Sequence, residues 1–297
     1  MDGVLVPAAT PFDSDGALRL DWFEHNVTKW SDTDVTGLMV LGTNGEFRSL
    51  SDDESRAVVA LAAELTVDRT LIVGVGREST VLTLAFIDSL AADGAAIDFV
   101  SVLPPHYFAK SMTSHAMLNY YTEVADGSPF PVLIYVAPAY SNGVVLTPAT
   151  VAALADHPNI AGIKDTSNDQ LTAYSIAAGG RPDFSVLSGS MSTVLTGLFL
   201  GGTGCVVSAA NYFPDECSAV VRLALAGDRE RAIAAYGELQ GLIQQTGGMS
   251  GVASLKACMN ILGYRGGVPR LPVQPLARQE EARLLDALIA AGKVSAV

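Results

Sequence analysis

The sequence is poor in the residues that hold metals, staple small folds or bind polyanions. Cysteine occurs three times, at Cys205, Cys217 and Cys258, widely spaced and with no Cys-x-x-Cys pair. Neither a disulfide framework nor a thiolate metal site is indicated, and a reducing, cytoplasmic setting fits. The four histidines, His25, His106, His115 and His157, are scattered without HxH or HExxH spacing, which argues against a metal-dependent aldolase or hydrolase. Basic residues number 18 against 31 acidic ones, for a formal charge of -13. The long-range field repels nucleic acid, which is set aside as a partner. The N-terminus MDGVLVPAATPF lacks the basic start and long apolar segment of a signal peptide. No stretch reaches the run of about 18 apolar residues that a membrane span requires. The one glycine pattern resembling a dinucleotide fingerprint, GVGREST at Gly74, carries Ser79 where the third glycine belongs and follows the third apolar run rather than the first.

What the chain does contain is a globular core composition, 49% hydrophobic with 28 glycines and 14 prolines. A chain of 297 residues is long enough for two ordinary domains or for one α/β barrel. Short apolar runs recur along it: VLVPAAT from Val4, GLMVLG from Gly37, TLIVGVG from Thr70, DFVSVLP from Asp98, PVLIYV from Pro131, IAGIKD from Ile160, FSVLSGS from Phe184 and GCVVSAA from Gly204. Segments with helical spacing separate them, as in Trp22, Phe23, Val27 and Trp30, or Val81, Leu84, Ala85, Ile87 and Leu90, or Val151, Ala152 and Leu154. Ser51-Asp52-Asp53-Glu54 reads as a capping box, and Thr147-Pro148 puts proline at a first helical position.

Strands buried on both faces, each followed by a helix, argue for a parallel sheet, and eight such units argue for closure into a (β/α)8 TIM barrel. A doubly wound open sheet is the alternative. The barrel is assigned to residues 1–225, its last helix near 214–226. Residues 226–297, with helices near 228–246, 252–263 and 276–291, form a C-terminal helical extension packed on the barrel, because no Ser/Gly/Pro-rich linker sets them apart.

In such a barrel the active site lies where the strands end. Five ends stand out: Gly42-Thr43-Asn44-Gly45-Glu46, Pro104-Pro105-His106-Tyr107, Tyr135, Lys164 and Gly189-Ser190. Of the five lysines, Lys29, Lys110, Lys256 and Lys293 fall in helices or loops, whereas Lys164 closes an apolar strand. A buried amine loses proton affinity, and a neutral amine attacks a ketone to give a Schiff base. The iminium accepts electrons from a neighbouring carbon–carbon bond, so no metal or organic cofactor is needed. The competing reading is a strand-end lysine paired with Asp165. Tyr135, on the adjacent strand, is placed to pass protons to and from the adduct. The backbone of LGTNGEF, from Leu41, forms either a carboxylate nest or an ordinary turn. The loops at Ser188 and Gly201 leave a phosphorylated substrate as a competitor. His106 either lines the pocket or is a hydrogen-bonded structural residue.

GTNGE at Gly42, PPHYF at Pro104, YVAP at Tyr135, GIKD at Gly162, SGS at Ser188 and GGTGCVVSAAN at Gly201 together resemble the dihydrodipicolinate synthase and N-acetylneuraminate lyase family, over almost the whole chain. The resemblance implies a class I, metal-independent aldolase on a (β/α)8 barrel, a carbon–carbon lyase that assembles as a homotetramer, a dimer of dimers. Its partners are then a small 2-oxo acid and an aldehyde. Carried over by position, Lys164 forms the Schiff base with pyruvate and Tyr135 donates and accepts protons. Thr43 links Tyr135 to Tyr107, the latter supplied by the neighbouring subunit. Asn44 and the Thr43 backbone hold the 2-oxo acid carboxylate, and Val206 adds main-chain contacts. Residues near Tyr140, Ser167, Gly189 and Ser190 read the aldehyde half.

Members that condense pyruvate with aspartate semialdehyde usually carry an arginine where this chain has Tyr140, and a phenol does not replace that charge. Valine at 136 is also unusual for the motif. RESTVLTLAFIDSLAADGA, NYYTEVADGSPFPVLIY, GVASLKACMNILGYRGG and Asn44 look more like the 4-hydroxy-2-oxoglutarate aldolase branch. Aldolases of 2-keto-3-deoxy sugar acids and dihydrodipicolinate synthase are the alternatives, with a non-catalytic 2-oxo acid binding barrel as the reading from another class.

Overall fold

The computed structural model describes residues 1–245 and 251–295. Eight parallel strands, β1 (Gly3–Pro7), β2 (Gly37–Val40), β3 (Thr70–Gly74), β4 (Phe99–Val102), β5 (Val132–Val136), β6 (Ile160–Asp165), β7 (Ser185–Ser188) and β8 (Gly204–Cys205), pair in chain order and close β8 on β1. Each expected apolar run supplies a strand. The open doubly wound sheet is thereby excluded. The strands are shorter than their runs because the last residues of several leave the ladder to form the mouth.

The helices α1 (Leu20–Ser31), α2 (Asp52–Leu65), α3 (Thr80–Ala92), α4 (Ser114–Gly127), α5 (Pro148–Leu154), α6 (Leu171–Ala178), α7 (Val194–Phe199) and α8 (Pro214–Leu225) follow the strands in alternation. The chain continues with α9 (Arg229–Gln245), α10 (Val252–Ile261) and α11 (Arg278–Ala290). Ser51 accepts from the Glu54 N–H while the Glu54 carboxylate accepts from the Ser51 N–H, completing the expected capping box of α2. Thr147 caps α5 with Pro148 in the first turn. No helix among the described residues is long and apolar enough to cross a membrane.

In two helices a residue of the apolar spacing stands outside the core. In α3 the inward residues are Thr83, Phe86, Ile87 and Leu90, while Val81, 75% exposed, faces out with Ala85. Nearly every residue of this helix is apolar or small, so spacing alone does not choose a face. Polar contacts do: the Thr83 hydroxyl meets the Tyr120 phenol at 3.0 Å and accepts from the Arg77 N–H. In α1 Trp22 is only half-buried, its ring covered by the Arg19 guanidinium.

Side chains alternate along the strands, so the barrel has two apolar layers. Val4, Val6, Leu38, Val40, Ile134 and Val136 pack outward against the helices. Leu5, Met39, Ile72, Leu103, Leu133, Tyr135, Leu187 and Val206 fill the lumen. β8 contributes only two residues to closure, and a buried amide extends the seam. Asn211, fully buried, accepts from the Ala9 N–H at 3.0 Å and donates to the Pro7 carbonyl at 3.0 Å. Its own carbonyl accepts from the Trp30 indole, which ties α1 to the same junction. Replacing Asn211 by alanine leaves a buried donor and acceptor unpaired, and urea unfolding should show a loss of about 2–4 kcal/mol.

Candidate functional site

β5 and β6 set the centre. Their register places Tyr135 beside Lys164, and both side chains turn into the lumen. The Lys164 Nζ lies 4.1 Å from the centre of the Tyr135 ring and 3.5 Å from the Met39 sulfur. It has no carboxylate partner among the described residues. The pairing with Asp165 does not form, because neighbouring residues of a strand point to opposite sides. Asp165 instead accepts from the Ser167 N–H and hydroxyl, and burial raises its pKa. A thioether and an aromatic face stabilise an ammonium far less than water does. Burial accordingly pushes the Lys164 pKa down to about 7.

Burial moves Tyr135 the opposite way, raising its pKa and keeping the phenol protonated; the Thr43 and Thr166 hydroxyls oppose the shift. Thr43 Oγ1 is 3.3 Å from the phenol oxygen. The result is an amine poised to lose its proton next to a phenol poised to keep one. Such a split suits nucleophilic attack followed by proton transfer.

The turn after β2 forms the second part of the site. Leu41 (φ 54) and Glu46 (φ 52) bracket it in left-handed conformations, and the Glu46 N–H closes it onto the Thr43 carbonyl at 3.1 Å. No acceptor among the described residues takes the N–H groups of Thr43, Asn44 or Gly45. Unpaired donors of this kind are able to receive an anion, which an ordinary connection does not offer. Asn44 is oriented by its Nδ2–H, which donates to Ser208 Oγ at 2.8 Å.

What holds this turn is a buried ion pair. The Glu46 carboxylate is matched by Lys256 of α10 at 2.5 Å and also accepts from the Arg270 N–H at 2.9 Å. Lys256 is fully buried, donates to the Val268 carbonyl and lies over the Phe12 ring, whose centre Arg270 also approaches to 4.1 Å. Burial pushes the Lys256 pKa down to about 8 against the pull of Glu46.

The mouth opens into a cavity of 360 Å³ lined by Thr43, Asn44, Arg48, His106 and Tyr140 among others. His106 is therefore both a wall of the cavity and a bonded residue, its Nδ1 being 3.0 Å from the Pro104 carbonyl. Val206 lies in the lumen with its N–H donated to the Ser188 carbonyl. Gly189 donates its N–H to Asp165, and a Cβ there would collide with the Thr166 hydroxyl at 2.1 Å, so glycine permits the close approach. Ser190 shares its hydroxyl with Ser192. Tyr107 stands apart: its side chain is 77% exposed, packs edge-on against Phe108 and touches neither Thr43 nor Tyr135 within the chain.

The phosphate alternative loses one of its loops. Residues 201–203 precede β8 and so lie at the end of the barrel opposite the mouth. Their donors are consumed internally, with Gly202 bonded to Gly197, Thr203 to Val186 and the Thr203 hydroxyl to Met1. Sequence reasoning passed over Met39, Thr166, Arg48 and Ser208, took Glu46 only as the end of a strand-end turn and set Lys256 aside as a helix or loop lysine. Only Met39 carried a usable signal, since two-residue alternation from the end of β2 turns it into the lumen.

A closed parallel barrel with a buried amine, unpaired among the described residues, beside a protonated phenol fits a barrel lyase, and three comparisons narrow the class. The sequence profile described as the Dihydrodipicolinate synthetase family matches residues 1–291, and the chain belongs to that family. It is 31% identical to 4-hydroxy-tetrahydrodipicolinate synthase of Exiguobacterium sp., across 96% of both chains. It is 32% identical to the probable mitochondrial 4-hydroxy-2-oxoglutarate aldolase of Emericella nidulans, across 96% of this chain and 93% of that one. Among solved structures, the chloride-inhibited dihydrodipicolinate synthase of Acinetobacter baumannii, complexed with pyruvate, superposes with a TM-score of 0.91 at 27% identity, covering 99% of each chain. YagE, a prophage protein of Escherichia coli K12 in complex with pyruvate, gives 0.90 at 26% identity, again over 99% of each. The protein is a carbon–carbon lyase of this family.

Two measurements test the electrostatics. The folded-state pKa of Lys164 lies below its ordinary value of 10.5, so between about pH 7 and pH 10.5 the unfolded chain binds a proton that the folded chain does not. Stability from this group should therefore rise with pH across that window, by up to about 1.4 kcal/mol per pH unit. Urea unfolding of Lys164→Met should show a smaller slope, with Lys256 supplying the remainder. Separately, Lys256→Met strands the Glu46 charge and should cost about 3–5 kcal/mol, while the Glu46→Gln/Lys256→Met double variant should recover most of the loss in thermal unfolding.

Proposed function

We propose that the protein reversibly cleaves a hydroxy-2-oxo acid to pyruvate and an aldehyde through a Schiff base on Lys164, with 4-hydroxy-2-oxoglutarate as the best-supported substrate. The observation that carries this reading is the uncompensated amine of Lys164, 4.1 Å from the Tyr135 ring with a pKa near neutrality. Nothing else described in the lumen is both nucleophilic and free of a charge partner.

In the cleavage direction the amine adds to the ketone and water leaves, giving the iminium. The bond between C3 and C4 then breaks, its electron pair passing into the iminium to form an enamine. The C4 hydroxyl gives up its proton and becomes the aldehyde carbonyl. The enamine takes a proton at C3, and water hydrolyses the iminium to release pyruvate and restore the amine. Tyr135, supported by Thr43, serves as the proton carrier for these steps. The free N–H groups of the turn at Thr43, with Asn44, bind the carboxylate next to the ketone. The Val206 main chain borders the bound pyruvate moiety, and Tyr140, Gly189 and Ser190 face the aldehyde half.

The same reading gives Tyr107 a place. Its exposed ring and that of Phe108 suit insertion into a neighbouring subunit, where Tyr107 would complete the relay through Thr43, within a homotetramer acting in the cytoplasm. The names of the relatives keep pyruvate condensation with aspartate semialdehyde as a second reading; Tyr140 at the expected arginine position weighs against it.

Pyruvate with borohydride should add a stable mass to Lys164, and Lys164→Ala should show no adduct. The rate of adduct formation should climb as pH rises through about 7, where the amine loses its proton. Tyr135→Phe should retain the adduct yet lose roughly 100- to 10,000-fold in pyruvate release. A panel of 4-hydroxy-2-oxoglutarate, 2-keto-3-deoxygluconate and aspartate semialdehyde plus pyruvate would identify the aldehyde. An adduct without turnover of any of these would point to a non-catalytic 2-oxo acid binding barrel.

A further inference from the structure

The turn after β2 is strained at both ends. Leu41 and Glu46 hold φ values of 54 and 52, a left-handed conformation that crowds Cβ against a carbonyl oxygen in any residue but glycine. Left to local preference, Glu46 would leave this region, and its N–H would part from the Thr43 carbonyl that it meets at 3.1 Å. The N–H groups of Thr43, Asn44 and Gly45 would then be free to turn elsewhere. Strain of this kind persists only where the surroundings over-determine it.

Here the surroundings are supplied by the C-terminal extension. Lys256, on α10, meets Glu46 Oε1 at 2.5 Å, and the Arg270 N–H donates to Oε2 at 2.9 Å, so both carboxylate oxygens are fixed from beyond the last strand. The Lys256 ammonium is itself located by the Val268 carbonyl at 2.9 Å and the Phe12 ring at 4.4 Å. The Arg270 guanidinium reaches further along the same segment. Its Nη1 donates to the Ser49 carbonyl at 2.6 Å, and Nη1 and Nη2 hold the Glu54 carboxylate in the first turn of α2, at 2.9 and 2.7 Å. The other end of the turn faces the amine: Thr43 Oγ1 is 3.3 Å from the Tyr135 phenol oxygen, and that ring is 4.1 Å from Lys164 Nζ.

We propose that Lys256 and Arg270 are positioning residues of the lyase reaction. By fixing Glu46 in its left-handed conformation they keep the N–H groups of Thr43, Asn44 and Gly45 in place and unpaired, and so set the affinity for the carboxylate beside the ketone without touching the substrate. The inference rests on the reading that this turn binds that carboxylate. A buried ion pair adds little to the stability of a fold that apolar residues of similar volume would not supply. What it adds here is position, because displacing either partner strands the charge of the other.

The test separates position from stability. Borohydride trapping on Lys164 is measured for pyruvate and for acetone, which keeps the ketone but has a methyl group in place of the carboxylate. The pyruvate-to-acetone ratio is compared with that of N-α-acetyllysine in solution, which the unsubstituted protein should exceed. Lys256→Met should lower the ratio by about 10- to 100-fold, the loss expected for one charge-assisted hydrogen bond. Ile87→Ala, a core substitution on α3, should leave it unchanged. Glu46→Gln/Lys256→Met should regain thermal stability while its ratio stays low, which a purely structural role would not give, and this variant carries the test alone if Lys256→Met does not fold. The proposal is overturned if Lys256→Met keeps the full ratio, or if the double variant regains the ratio together with stability. A ratio in the unsubstituted protein no higher than in solution would overturn the carboxylate role of the turn, and this proposal with it, while leaving the Schiff base intact. Absence of trapping with either ketone would overturn the Schiff-base reading itself, and the inference that rests on it.

Discussion

The interior of this barrel is organised around one amine withdrawn from water, with no carboxylate partner among the described residues. Lys164 sits where β6 leaves the barrel, walled by a thioether, an aromatic ring and apolar side chains, with the nearest carboxylate turned to the other side of the sheet. An ion pair at that position would hold the proton on the nitrogen and abolish its nucleophilicity. Water in the lumen would do the same by solvating the ammonium. The packed layer formed by Leu5, Ile72, Leu133 and Leu187 thus lowers the proton affinity of Lys164 as well as stabilising the barrel. The barrel's sequential pairing brings Tyr135 alongside Lys164.

Around this dry centre the protein arranges charge in matched sets. Glu46 is balanced by Lys256, Glu54 by a bidentate contact from Arg270, and Asp165 by Ser167 rather than by a cation. Carboxylate charge near the mouth is thereby spoken for. The cavity at the mouth is left with backbone N–H groups at Thr43 and Asn44 that find no acceptor among the described residues. The net charge of -13 does not prevent this, because local donors govern binding at contact distance while the global field is screened.

Much of this was readable in the chain. Strand order, barrel closure and the placing of Lys164 and Tyr135 at adjacent strand ends follow from apolar runs and two-residue alternation, which depend only on local sequence. The free donors of the turn at Thr43 were legible as a possibility through its glycines, but choosing between a nest and a plain turn required knowing which N–H groups find acceptors. The buried partnership of Glu46 and Lys256 was not legible, since 210 positions separate the residues and each looks ordinary in its own segment. The inward face of α3 was not legible because an almost uniformly apolar helix has no periodic contrast, and Thr83, the residue that fixes its rotation, acts through hydrogen bonds to Arg77 and Tyr120.

The ammonium of Lys256 and the backbone N–H of Arg270 both reach back from beyond the last barrel strand to grip the turn after β2. A gene fragment stopping at residue 225 would encode every strand and Lys164, yet it would release the turn after β2. The smallest heritable unit of this enzyme is therefore longer than its barrel, and any lineage that trims or swaps the tail must first find another anchor for a single glutamate.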